Sequence, residues 1–140
     1  VDLREYEAGD CFKVKARARD DLGYFNESQA SFDTAFTVWS GDEAIACGGL
    51  VVSYPGVGGL WAVVADGARG NGLEFTRLTR KGIHLLMDSL GVWRAQATIQ
   101  AGVEENVRWA KILGMEYEST LKCAAPDRGD MLMYRLLRNV

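Results

Sequence analysis

The stretch LWAVVADGARGNGLEF, residues 60–75, is where the chain changes period. Residues 60–64 are an uninterrupted strand-forming run, and from there the key positions Phe75, Thr79, Ile83, Leu86 and Leu90 recur at spacings of four, four, three and four. That is one stripe of an amphipathic helix, which Gly91 ends. Between the two lie Arg69, Gly70, Asn71 and Gly72. Glycines at a strand-to-helix junction let backbone N–H groups approach a ligand, and the helix start adds the positive end of its dipole. The junction reads either as a tight turn or as a seat for a phosphate or pyrophosphate. Neither GxxxxGK[ST] nor GxGxxG occurs in it, so it is not a P-loop or a dinucleotide fingerprint.

Upstream, AFTVWS (residues 35–40) and AIACGGLVVS (44–53) are β-rich runs separated by Gly41, Asp42 and Glu43, which predicts a hairpin. A second turn, YPGVGG (54–59), leads into residues 60–64 and makes three antiparallel strands in sequence. Residues 1–6 alternate as a strand. In residues 10–19, Phe12, Val14, Ala16 and Ala18 alternate with Lys13, Lys15, Arg17 and Arg19, a strand period written in helix-forming residues. Asp10, placed where an N-cap belongs, tips the reading to a helix. Downstream come a strand at 92–99 (VWRAQATI), an amphipathic helix at 104–113 stopped by Gly114, and closing strands at 115–121 and 131–137. The expected fold class is α+β, or mixed α/β, layered around one sheet in a single domain spanning residues 1–140.

The chain has 140 residues, 48% hydrophobic and 25% charged, which excludes intrinsic disorder and fibrous rods. Its formal charge of -3 argues against a wholesale polyanion binder, so the row Lys13, Lys15, Arg17 and Arg19 reads as ordinary surface before nucleic-acid contact. Cys11, Cys47 and Cys123 form no CxxC pair, which suits buried thiols and no metal site. His84 is the only histidine, and nothing near Ser89 or the cysteines pairs with it as a nucleophilic dyad. No apolar run approaches the roughly 20 residues that span a bilayer, so a soluble, cytoplasmic protein is expected. Arg77, Lys81, His84 and Asp88 fall on the polar side of the long helix and read as a solvated face. Trp39, Trp61, Trp93 and Trp109 read as core.

Taken together, IACGGL (45–50), LWAVV (60–64), RGNGL (69–73), the long helix, VWRAQATI and NVRWAKILGMEYE (106–118) resemble the GNAT (Gcn5-related N-acetyltransferase) superfamily over nearly the whole chain. The resemblance implies a mostly antiparallel, twisted central sheet of six to seven strands flanked by helices. It also implies acetyl-CoA or CoA as cofactor. Val63 and Val64 would line the pantetheine arm, and Arg69, Gly70, Asn71 and Gly72 would cradle the pyrophosphate. Transfer to an amine, of a small molecule or a protein, is the implied reaction.

Several positions depart from that pattern. Glu74 stands where the family has Gly or Ala, although a carboxylate in a first helical turn is also an ordinary dipole partner. Counted back from Gly114, the family's Tyr that protonates the departing thiolate falls on Ala110, its usual Asn falls on Val103, and LWAVV offers no Glu as general base. Tyr54, Ser53, Gln96, Gln100 and Tyr117 are the remaining polar candidates, each read as structural or surface before catalytic, so the catalytic residues stay unassigned. Attack by an amine on a thioester can run on positioning and a polarising backbone amide. A narrower resemblance, over residues 61–118, is to the acetyltransferase-like proteins of T7-like phages and prophages. It implies a non-catalytic structural or interaction protein on the same scaffold, with a virion or a second copy of the chain as partner.

Overall fold

The structure, a computed structural model, describes residues 1–15, 34–65, 68 and 72–139. In chain order the elements are β1 (Asp2–Glu5), α1 (Asp10–Lys15), β2 (Ala35–Ser40), β3 (Glu43–Tyr54), β4 (Val57–Val64), α2 (Gly72–Leu90), β5 (Arg94–Gln100), α3 (Glu104–Ile112), β6 (Glu116–Leu121) and β7 (Met131–Leu137). The seven strands form one sheet in the order β1-β2-β3-β4-β5-β7-β6. Every neighbouring pair is antiparallel except β4 and β5. The expected α+β class and strand count are thus observed, with β7 inserted between β5 and β6.

The β2–β3 hairpin turns at Gly41 and Asp42, with Gly41 at φ +61°. The next turn is shorter than the expected YPGVGG. Only Pro55 and Gly56 lie between β3 and β4, because Gly56 at φ +88° supplies the one left-handed residue the turn needs. Val57, Gly58 and Gly59 belong to the ladder, where a Cβ on Gly58 would lie 2.8 Å from Leu50 Cδ1. β5 begins at Arg94 and not at Val92, since the amides of Trp93 and Arg94 both donate to Gly56 O, at 2.9 and 3.2 Å. Trp93 consequently rests beside Gly56 and stays 48% exposed, outside the core expected for it.

One face of the sheet is covered by α1, through Tyr6, Cys11, Val14, Cys47 and Val63, with Trp39 and Trp61 packed alongside. The other is covered by α2 and α3 over Leu50, Leu86, Met87, Ala95, Ile99 and Tyr134. Phe75 and Trp109 stack across that layer, ring centroids 5.4 Å apart and nearly parallel. Cys11 and Cys47 are buried as expected. Cys123 is exposed, in a turn at φ 55° where Asp130 accepts its amide hydrogen bond. Asp10 opens α1 but does not cap it forward. Its buried carboxylate reaches back to the Glu7 amide (3.0 Å) and across to the Thr37 hydroxyl (2.6 Å). Lys15 ends α1; Ala16, Arg17, Ala18 and Arg19, the rest of the alternating segment, lie outside the described residues.

On the outer side of α2, Arg77, Lys81 and Asp88 are exposed as expected, and Arg138 donates to both Asp88 carboxylate oxygens at 3.0 Å. His84 is partly buried, and its pKa is lowered by desolvation first and then by Arg138 and Arg80, against a smaller opposing effect of Asp88. A histidine held below its unfolded pKa favours the folded state while neutral. That contribution is present above about pH 6.5 and is lost as pH falls through the lowered value. The expected effect is small, because the ring is largely solvated. Urea melts between pH 7.5 and 5 should show less loss of stability in His84→Gln than in the parent; equal losses would contradict the assignment.

Candidate functional site

β4 and β5 run parallel and pair only at Val57–Arg94, Gly58–Ala95 and Gly59–Gln96. Beyond Gly59 they separate, while β4 stays in register with β3 as far as Val64 and β5 stays in register with β7 as far as Gln100. The result is a wedge opening through the middle of the sheet. The hydrogen bond from Ala65 N to Ile45 O, 2.8 Å, fixes which β4 residues face which way. By the alternation of an antiparallel ladder, Trp61 and Val63 exchange main-chain hydrogen bonds with β3. Ala62 and Val64 therefore turn their N–H and C=O groups toward the wedge. An extended ligand laid in the wedge would meet a strand edge inside a seven-stranded sheet.

The wedge leads into a cleft of about 420 Å³ between the sheet and the two long helices. Its walls come from β4 (Leu60, Ala62, Val64), β5 (Ala97, Ile99), α2 (Thr79, Gly82, Ile83), α3 (Ala110) and Leu113, which caps α3. The polar residues at its border are Thr98 and Gln100 at the end of β5 and Asn106 in the first turn of α3. None of these three side chains is ionisable. The shifted acids, Glu118 lowered first by its hydrogen bonds from Arg94 and Asp130 lowered first by the Cys123 amide, are on the β6 side of the sheet. Among the described residues no cluster of His, Cys, Asp and Glu could hold a metal ion, and no helix is long and apolar enough to cross a membrane.

Of the residues expected to bind the cofactor, Val63 and Val64 both line this cleft. Gly72 opens α2 with no atom within 4 Å of where a Cβ would stand. Arg69, Gly70 and Asn71 lie outside the described residues. In the same junction the Ala68 amide donates to Ala65 O at 3.1 Å, so that one nitrogen is used within the turn. Glu74 is exposed and its Oε1 lies 3.2 Å from the Val1 nitrogen, toward the start of β1.

Only one of the five polar candidates reaches the cleft. Gln100 lines it. Tyr54 and Ser53 sit at the closed end, where β3 pairs with Val57 and its register shifts between Val52 and Tyr54. Gln96 is in the last paired position and accepts a hydrogen bond from Arg94 Nε at 3.1 Å. Tyr117 is on the edge strand β6, its hydroxyl 2.7 Å from Thr120 Oγ1. Asn106 was not among the candidates and faces the cleft together with Val103, Ala110 and Leu113. Their spacing of three, four and three marks one helical face, and a lone amide in that apolar stripe is the sequence signal for it.

No protein-family model and no curated protein matches this chain. Solved structures do. The ribosomal-protein-alanine N-acetyltransferase of Brucella melitensis aligns with a TM-score of 0.75 at 17% identity over 99% of this chain and 100% of that one. Ard1 of Thermoplasma volcanium aligns with a TM-score of 0.81 at 12% identity over 97% and 96%. A GNAT-family acetyltransferase of Streptococcus pneumoniae aligns with a TM-score of 0.74 at 18% identity over 97% and 98%. The narrower resemblance to phage proteins has no support in these matches. With the sheet order, the parallel β4–β5 pair and the wedge between them already established, the chain has the fold of the GNAT acetyltransferases.

Proposed function

We propose that the protein is an acyl-CoA-dependent N-acyltransferase whose donor lies in the β4–β5 wedge. The observation that carries the reading is the inward-facing edge of β4: the main-chain groups of Ala62 and Val64 are aimed into a cleft and not at a neighbouring strand. The fit to the donor's pantetheine arm is chemical, since that arm carries amides that can pair with a strand edge, and the Val64 side chain adds an apolar wall. Gly72 at the start of α2 stands where the positive end of a helix dipole meets an anion. When bound, the acyl-CoA supplies an activated thioester.

The chain's own contribution is positioning. The β4 amides hold the donor in line, the apolar walls of Ala97, Ala110 and Leu113 exclude water, and Gln100, Thr98 and Asn106 offer neutral hydrogen-bonding groups at the border. Ala110 provides no proton to a departing thiolate; the attacking amine gives up one proton as the amide forms, which balances the proton taken up by the released thiol. Thermal unfolding with acetyl-CoA tests the proposal: at 100 times the dissociation constant the ligand should stabilise the fold by about 2.7 kcal/mol. An unchanged melting curve at millimolar acetyl-CoA and CoA overturns it.

A further inference from the structure

We infer that the acyl group this protein carries is a medium-length hydrocarbon chain, seated in the apolar space that continues from the cleft beneath β3 and β2. The inference rests on the acyl-CoA reading and adds the chemistry of the acyl group to it. The cleft does not end at the wedge: Leu3 of β1, Val38 of β2 and Ala46 of β3 line the same cavity as Ala62 and Gly82. Neighbouring strands lie about 4.8 Å apart, so β2 stands roughly 10 Å to the side of β4. A donor arm paired with the β4 edge runs along the opposite side of that strand and leaves the lateral space unfilled.

Small residues make the space. Ala46, Gly48 and Ala62 on the sheet face Gly82 on α2, and Ala62 remains exposed although it sits on the fourth of seven strands and points to the helix side. Protein interiors are packed to nearly crystalline density, with few voids larger than a water molecule. A cavity of about 420 Å³ lies in the range of small-molecule sites. The lateral part is walled by the apolar side chains of Leu3, Phe36, Val38 and Phe75, and the hydroxyl of Thr79 beside it already donates to Phe75 O at 2.9 Å. Water gains few hydrogen bonds there, whereas each methylene buried gains about fourfold in affinity.

Gly82 controls the space. A Cβ at that position meets only Leu3 Cδ2, at 3.7 Å, so a longer side chain grows into the cavity without striking backbone. Titration calorimetry of the full chain with CoA, acetyl-CoA, butyryl-CoA and octanoyl-CoA reads the inference directly. The dissociation constant is expected to fall at least tenfold from acetyl-CoA to octanoyl-CoA. In Gly82→Leu that gain should disappear, octanoyl-CoA binding this variant no more tightly than acetyl-CoA does; Gly82→Ala, the milder variant should the leucine not fold, should lose part of it. Octanoyl-CoA binding no more tightly than acetyl-CoA, or a gain that survives both substitutions, overturns the acyl-chain inference and leaves the transferase reading standing. Failure of all four ligands to bind overturns both.

Discussion

Val63→Pro is expected to destabilise the protein by about 2–4 kcal/mol and Ala62→Pro, one residue away, to leave it as stable as the parent but to weaken its hold on a CoA thioester about a hundredfold. The difference follows from strand alternation. Val63 is 2% exposed on the side of α1, and its N–H belongs to the ladder with Cys47 on β3. Proline there removes the donor and leaves a buried carbonyl without its partner, a loss of about 2–4 kcal/mol. That is a large part of the roughly 5–15 kcal/mol by which such domains are stable. The Ala62 N–H points into the wedge, so proline costs the ladder nothing, as on an edge strand. It removes the amide offered to the donor and puts a ring in its place, and acetyl-CoA affinity should drop about a hundredfold, equivalent to about 2.7 kcal/mol. Circular dichroism melts and calorimetry measure the two effects separately. Ala62→Pro binding as well as the parent would show that the β4 edge is not the donor site.

Much of this arrangement is legible in the sequence because it is local. The stripe from Phe75 to Leu86 needs only a 3.6-residue period, and Phe75, Leu86 and Met87 are indeed buried on α2. Leu90, counted in the same stripe, is 37% exposed, because the helix runs past the edge of its core. The Gly41 and Gly91 stops depend on single residues at positive φ, and both are where the sequence places them. The wedge is different in kind. It exists because Gly59 is the last β4 residue paired with β5, and no local pattern in LWAVV or VWRAQATI records the point at which two strands 37 positions apart in register separate (94 minus 57).

Tyr54, Ser53 and Gln96, read as structural or surface residues before catalytic ones, lie on the strands that make the wedge but at its closed end, and position along a strand is not encoded by residue type. The family pattern places its Asn at Val103, the residue that precedes α3, whereas the amide that reaches the cleft is Asn106 in the first turn of the helix. Asp10 was legible as a residue of the helix start and not as the tertiary contact it makes, since its partner Thr37 comes 27 residues later.

That contact sets the second large effect. Asp10 is 1% exposed and Thr37 fully buried, and the carboxylate accepts from both the Thr37 hydroxyl (2.6 Å) and the Glu7 amide (3.0 Å). Lys13 Nζ, 3.4 Å from the other oxygen, is half exposed and adds little. Asp10→Ala strands a buried hydroxyl and an amide at once and should cost about 2–4 kcal/mol. Thr37→Val alone leaves the carboxylate short of one donor and should cost about 1–2 kcal/mol. When both partners are replaced the unsatisfied groups are fewer, so the double variant should be more stable than the sum of the single losses by about 1 kcal/mol or more. Additive losses in denaturant melts would mean that the two side chains act independently. α1 would then be held to β2 and β3 by the packing of Cys11 and Val14 and by the Lys13 ammonium over the Trp39 ring, and the wall it forms behind Val63 would owe nothing to the buried carboxylate.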